Sequence, residues 1–336
     1  MAVATEITRH QFNPEARDVF LSLQQHRLGE RQITVDGVVY PHLETLDFPQ
    51  SDPWSRHMTA VVASSRSDGE FFGKHITELG VGDGRNIIHA GGEITGATVV
   101  DVEDWRLDSA LINFSRHEAT ASLPIEAWHG DAVALLRDWE THKPGERIKG
   151  YVFACLPQSP DGDNLADRYD ENSLLEPFAE WNRYGLTLNA AVLSHLRPLV
   201  EKDTRLLLML SQRVPSDVRK KLFGKTGWDL VYEHKTTSPI QQDPDTGIGW
   251  VAQIEDEFAK DEHPFYAYEP EGNDFLPISA SEAEERRLQS TGRDDLNVYH
   301  HLSVYELQPA RPVIFEIFKS VSPNGNRNGD GLGYAA

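Results

Sequence analysis

The run Ile76-Thr77-Glu78-Leu79-Gly80-Val81-Gly82-Asp83-Gly84 joins an apolar stretch carrying one acid to three glycines at alternate positions. Glycines so placed let the backbone approach a ligand closely and turn into a helix whose first N–H groups can face it. Arg85 follows the Gly-x-Gly-x-Gly spacing, so the third glycine of the dinucleotide fingerprint is missing and a nicotinamide cofactor is disfavoured. A tight turn would explain the glycines alone, but two more carboxylates stand where ligand contacts belong. Thr98-Val99-Val100-Asp101 ends the next apolar run, with Val102 beside it, about 20 residues on, where a carboxylate can accept from both ribose hydroxyls. Trp128-His129-Gly130-Asp131 repeats the pattern; Asp131 could accept from an adenine amino group or simply cap the following helix. Glu78, Gly80, Gly82, Gly84, Asp101, Val102, Gly130 and Asp131 are therefore the candidate cofactor contacts.

These residues need a scaffold that gathers strand ends on one side. From His75 onward, short apolar stretches alternate with helical ones, the signature of βαβ units around a parallel sheet. Strands are predicted near 75–81, 96–102, 124–129, 150–156, 204–210, 228–236 and 249–255, with helices near 85–91, 105–118, 131–140, 173–197 and 215–226. That is an α/β, doubly wound, seven-stranded Rossmann-like sheet over residues 71–256. Ahead of it, 1–70 reads as a cap or oligomer contact: a helix over Pro14–Arg27, a hairpin over Ile33–Tyr40 turning at Asp36-Gly37, and a helix over Trp54–Ala63. Residues 257–320 read as a small extension with Pro264, Pro270 and Pro277, a charged helix over Ser281–Gln289 and a strand pair near 298–308 and 312–319. The tail 321–336 is rich in Asn and Gly and is expected to be disordered.

Composition narrows the partners. Fifty-three acidic against 32 basic residues give a formal charge of −21, which repels nucleic acid and anionic lipid and suits a small neutral or cationic substrate. A single cysteine, Cys155, excludes an internal disulfide and a multi-cysteine zinc site. The N-terminus carries no basic region followed by an apolar stretch, and no run of about 18 apolar residues occurs, so a cytoplasmic protein without a membrane span is expected. A homo-oligomer without metal completes the expectation.

Together the strand-end residues resemble the first three motifs of class I S-adenosylmethionine-dependent methyltransferases, which implies S-adenosylmethionine as cofactor. The fourth motif of that family here reads Ala154-Cys155-Leu156-Pro157-Gln158, unlike the Asn-Pro-Pro-Tyr of amide and adenine N-methyltransferases. It is similar to the Cys-Ile-Pro-Gln type of the N-terminal region of methionine S-methyltransferases. The likeness continues in Asp101-x9-Leu111-Ile112-Asn113, Arg219-x2-Leu222-Phe223-x3-Gly227, Ile240-Gln241-x3-Asp245-Thr246-x-Ile248 and His300-x-Leu302-Ser303-Val304-Tyr305. Where the plant enzymes carry Asn-Pro-Asn-Pro, this chain has Ser159-Pro160-Asp161-Gly162-Asp163.

The resemblance implies methyl transfer to a free amino acid, with methionine S-methylation to S-methylmethionine first. A thioether is unprotonated at neutral pH, so the protein must align the reactants and supply no base. Cys155, Pro157 and Tyr184 are assigned to the reaction site, with Cys155 also at the cofactor and acting through packing or its carbonyl. Aromatic faces that could meet a sulfonium are Trp54, Tyr169, Trp181 and Tyr184. Asp170, Arg183, Arg213 and Gln242 could take the amino and carboxyl groups. Two other readings stay open. The acids between Asp161 and Glu180 could hold a guanidinium for N-methylation of free arginine, or the fold could serve binding without catalysis.

Overall fold

The computed structural model describes residues 7–10, 28–35, 37–45, 53–158, 160 and 175–311. The expected helix over Pro14–Arg27, Tyr169 and Asp170, most of the acidic segment, the strand near 312–319 and the tail lie outside the described residues.

The chain forms a Rossmann-like α/β fold. Its strands are β1 (Thr8–Arg9), β2 (Leu28–Val35), β3 (Val38–Thr45), β4 (His75–Leu79), β5 (Gly96–Asp101), β6 (Ile125–His129), β7 (Tyr151–Ala154), β8 (Arg205–Ser211), β9 (Trp228–Lys235), β10 (Ile240–Gln241), β11 (Phe265–Glu269), β12 (Asp274–Ile278), β13 (Tyr299–His300) and β14 (Leu302–Pro309). Helices are α1 (Pro53–Ser67), α2 (Arg85–Ala90), α3 (Asp104–Arg116), α4 (Glu118–Ala121), α5 (Ala132–Arg137), α6 (Trp139–His142), α7 (Thr187–Leu196), α8 (Ser216–Thr226) and α9 (Ala280–Gln289).

The main sheet runs β1-β6-β5-β4-β7-β8-β14-β9. Strands β6, β5, β4, β7 and β8 are mutually parallel, and the order reverses at β4, which places a crevice above its C-terminal end. Period-two packing is plain in β8: Leu206, Leu208 and Leu210 enter the core under α5, α7 and α8, whereas Leu207 and Met209 enter the core under α1, α2 and α3. Helices on both faces explain why the parallel strands are almost continuously apolar.

Two expectations need correction. The seventh strand is not 249–255, which forms a 3-10 helix over Gly249–Glu257. Val251 and Ile254, three apart, are its buried residues, and that is the repeat of a 3-10 turn and not of a strand. The place in the sheet is taken by β14, antiparallel between β8 and β9, with Val304 opposite Met209 on one side and His234 on the other. Position 256 is therefore no boundary of the sheet. Residues 240–300 instead interrupt it as an insertion with its own four-stranded sheet, β10-β13-β11-β12, and a small core around Phe265, Val251, Ile254 and Ala283.

The hairpin β2–β3 forms with Val35 paired to Val38 and Gly37 at φ 77, as its turn residues require. It docks on α3 through Asn113: Leu43 N donates to Asn113 Oδ1 at 2.7 Å, and Asn113 Nδ2 donates to Leu43 O at 2.9 Å. No helix among the described residues is long and apolar enough to cross a membrane.

Candidate active site

A cavity of about 460 Å³ opens over the C-terminal ends of β4 to β8, walled also by the first turn of α1 and by the insertion. Gly80 and Gly82 line it and Gly84 does not, and all three hold left-handed backbone, with φ 80, 56 and 80. A side chain at Gly82 would meet nothing within 4 Å, so its missing Cβ leaves open space above the loop. Gly84 is glycine for another reason: a Cβ there would stand 2.6 Å from Cε1 of Phe114.

Asp101 fastens this loop. Its Oδ2 accepts from Gly82 N at 3.0 Å and its Oδ1 from Glu103 N at 3.1 Å, and the residue lines the cavity. Burial pushes its pKa up, against the charge of Arg106 and the two backbone bonds. Glu103 and Arg106, which the sequence reading did not single out, line the same end. Asp131 caps α5, accepting from Ala134 N at 2.9 Å, and also lines the cavity beside Gly130; capping and ligand contact are compatible. Val102 lines it too, and its carbonyl lies 3.1 Å from His129 Nε2.

Glu78 does not line the cavity. It is 2% exposed, accepts from Asn86 Nδ2 at 2.8 Å, and keeps Oε2 without a partner among the described residues. Burial pushes its carboxyl up to about 8, and it reaches the cavity through Asn86, a lining residue that also takes a bond from Thr59. Asp83, next in the loop, accepts from Arg85 Nη2 at 2.7 Å and lies 3.1 Å from His42 Nε2. Burial opposes its ionisation, but the His42 hydrogen bond and the Arg85 charge hold its pKa well below the ordinary range. Through His42 and Asn113, whose Nδ2 donates to Asp83 O, the hairpin braces the glycine loop.

At the other end the strand exits of β7 and β8 supply Cys155, Leu156, Pro157, Gln158 and Arg213. Cys155 is partly exposed at the wall and Pro157 is exposed. Gln158 Oε1 accepts from Ser211 N at 2.7 Å. Arg213 is 2% exposed; its Nε donates to Ser211 Oγ at 3.0 Å, its Nη1 to Gln242 Oε1 at 3.2 Å, and its guanidinium stands 5.6 Å from the Trp54 ring. Burial brings its pKa down to about 10, opposed by Asp243. The insertion contributes Gln241, Gln242, Asp243, Thr246 and Arg293.

Trp54, Arg213 and Gln242 are thus gathered with Cys155 and Pro157, whereas Trp181 and Tyr184 are not. Trp181 is 4% exposed within the core and stacks on Lys225, and the Tyr184 phenol lies 2.8 Å from Glu257 Oε2. Neither lines the cavity, which corrects their expected substrate and reaction roles; their helical segment turns those rings toward α7 and the 3-10 helix. Arg183 also pairs with Glu257, outside the site. The insertion's approach to the site is set by tertiary contacts such as that of Gln242 with Arg213; of its lining residues Gln242 was singled out as a substrate contact, Gln241 and Thr246 stood only within a quoted motif, and Asp243 and Arg293 gave no signal.

No family model matches the sequence, and no curated protein matches it. Solved structures align with the fold. The N-methyltransferase NodS from Bradyrhizobium japonicum, in complex with S-adenosyl-L-homocysteine, is 9% identical over 87% of this chain and 99% of its own, with a TM-score of 0.40. The magnesium protoporphyrin IX methyltransferase from Synechocystis with bound SAM is 15% identical over 68% of this chain and 94% of its own, with a TM-score of 0.38. A putative methyltransferase from Bacillus halodurans is 10% identical over 75% and 100%, with a TM-score of 0.41. At these identities and scores, the chemistry of the cavity rests on its own residues.

Proposed function

We propose that the chain is an S-adenosylmethionine-dependent methyltransferase of a free amino acid, with methionine S-methylation to S-methylmethionine as its reaction. The observation that carries this reading is one continuous cavity whose two ends differ in chemistry. One end offers left-handed glycines and the Asp101, Glu103 and Asp131 carboxylates, acceptors for ribose hydroxyls and an adenine amino group; the other is lined by Cys155, Pro157, Gln158, Arg213 and the insertion. When bound, S-adenosylmethionine supplies a methyl group made electrophilic by its sulfonium.

The chain's own residues then bind and align. Asp101, rigid between Gly82 N and Glu103 N, accepts from ribose hydroxyls without reorganising. Cys155 to Gln158 wall the passage between the ends, and the insertion covers it with Gln242 and Asp243. No His, Lys or Tyr lines the cavity among the described residues. A thioether has no proton to lose and so asks no base of this lining, whereas an amine or hydroxyl acceptor would have to use one of its carboxylates, such as Asp243. Carboxylates and the Trp54 face favour a cationic product.

The test is S-adenosylhomocysteine release when purified protein and S-adenosylmethionine are mixed with each common free amino acid in turn. Turnover with methionine alone supports the reading. Turnover with arginine instead overturns it in favour of guanidino N-methylation, and cofactor binding without turnover of any acceptor favours a non-catalytic role.

A further inference from the structure

The end of the cavity away from the glycine loop holds two buried groups in need of an anion. Arg213, 2% exposed, makes no ion pair among the described residues; Asp243 acts on it only at longer range. Its Nη2 has no hydrogen-bond partner among them, while Nε and Nη1 are fixed by Ser211 and Gln242. Gln158, 6% exposed, is likewise fixed through Oε1 on Ser211 N, which leaves its Nε2 as a buried donor without a partner among the described residues. Both side chains are therefore held by the same residue, Ser211, and both line the cavity. A buried unpaired cation and an unmet amide donor are each costly, and one occupant with two acceptor oxygens would satisfy both.

We propose that Arg213 and Gln158 form the seat for the carboxylate of the methyl acceptor, which makes the enzyme selective for free acids over their amides and esters. This rests on the reading of the opposite end as the cofactor's. Arg213 follows β8 and the glycine loop follows β4, two strands apart, so at ~4.8 Å per strand the seat lies roughly 10 Å from the loop. Asp101 and Asp131, which would hold the cofactor's adenosine, follow β5 and β6, on the opposite side of β4 from Arg213. A carboxylate seated there places an amino acid's side chain back toward Cys155 and Pro157, where the two ends meet. A guanidinium offers the paired donors that a carboxylate accepts, and the Gln158 amide adds a third. The Trp54 ring flanks the guanidinium at 5.6 Å.

The experiment titrates matched pairs onto protein saturated with S-adenosylhomocysteine: L-methionine against L-methioninamide, and L-arginine against L-argininamide. The same titrations are made on Arg213→Gln and Gln158→Glu. Gln158→Glu retains the acceptor for Ser211 N but replaces the free donor with an anion, so it tests the seat without emptying it. In the wild-type protein one acid is expected to bind on the order of 50-fold more tightly than its amide. That gap should collapse in both variants while S-adenosylhomocysteine affinity and the circular dichroism spectrum stay unchanged. If arginine and not methionine shows the gap, the seat stands and the methionine reading falls. The seat is overturned if acid and amide bind alike, if the gap survives in Arg213→Gln, or if no acid binds to protein that holds S-adenosylhomocysteine.

Discussion

Replacing Asp101 with Asn changes one atom and should reach the cofactor end twice. The two carboxylate oxygens accept from Gly82 N at 3.0 Å and Glu103 N at 3.1 Å. In Asn one oxygen becomes an amide NH2 group, so one backbone donor faces another donor, at a cost of ~1–3 kcal/mol in stability. Two charge-assisted bonds to ribose, each worth ~1.5–3 kcal/mol, would also lose about half their strength, a combined ~1.5–3 kcal/mol. At ~1.4 kcal/mol per tenfold, S-adenosylhomocysteine should bind roughly 10- to 100-fold more weakly. Isothermal titration at a temperature where circular dichroism shows the variant folded is the assay. Asp104→Asn, exposed at the start of α3 and outside the cavity, is the control and should bind as the wild type does. A variant Kd within threefold of wild type, or an equal loss in the control, would refute the assignment of Asp101.

Glu78 gives a pH dependence with a definite sign. Its carboxyl sits at about 8 in the folded protein against 4.5 in the unfolded chain, so the native state holds the extra proton between these values. Its contribution to stability is complete below about pH 4.5 and is lost as pH rises through 8. Glu78→Gln keeps the acceptor for Asn86 and removes this loss; by urea denaturation it should be more stable than wild type at pH 8, on the order of 3 kcal/mol, and similar at pH 4.5. Equal stability differences at the two pH values would count against it. Gly84→Ala should cost ~2–5 kcal/mol, from left-handed backbone and from a Cβ 2.6 Å from Phe114. Phe114→Leu added to it should recover the steric part, seen as coupling in a double-mutant cycle; strict additivity would show that the clash is not felt.

The glycine-loop end of the cavity was legible in the sequence because each of its parts is local. A glycine that must turn left, an acid at a strand's end and the next helix lie within a few residues of one another, as Gly80 to Arg85 and Asp101 to Asp104 do. Glu78 belongs to the same motif, yet its neighbours fold it inward to Asn86, which spacing alone cannot reveal. The far end was less legible because it is assembled by distant contacts. Strand β14 joins β8 from more than 90 residues away, and that step makes the segment between β9 and β14 an insertion over the site and not an appendage after it. Trp181 and Tyr184 were plausible by type, but which way an aromatic ring turns is decided by packing, here toward the core and toward Glu257. Gln158 carried a signal only as part of the fourth motif; its unmet Nε2 appears once Ser211 is placed beside it.

The most direct test of the central claim is titration of the wild-type protein with S-adenosylhomocysteine and, separately, with NAD. Saturable one-to-one binding of S-adenosylhomocysteine, weakened in Asp101→Asn, with no binding of NAD, is the expected result. Binding of NAD without S-adenosylhomocysteine, or binding of neither, would contradict the account.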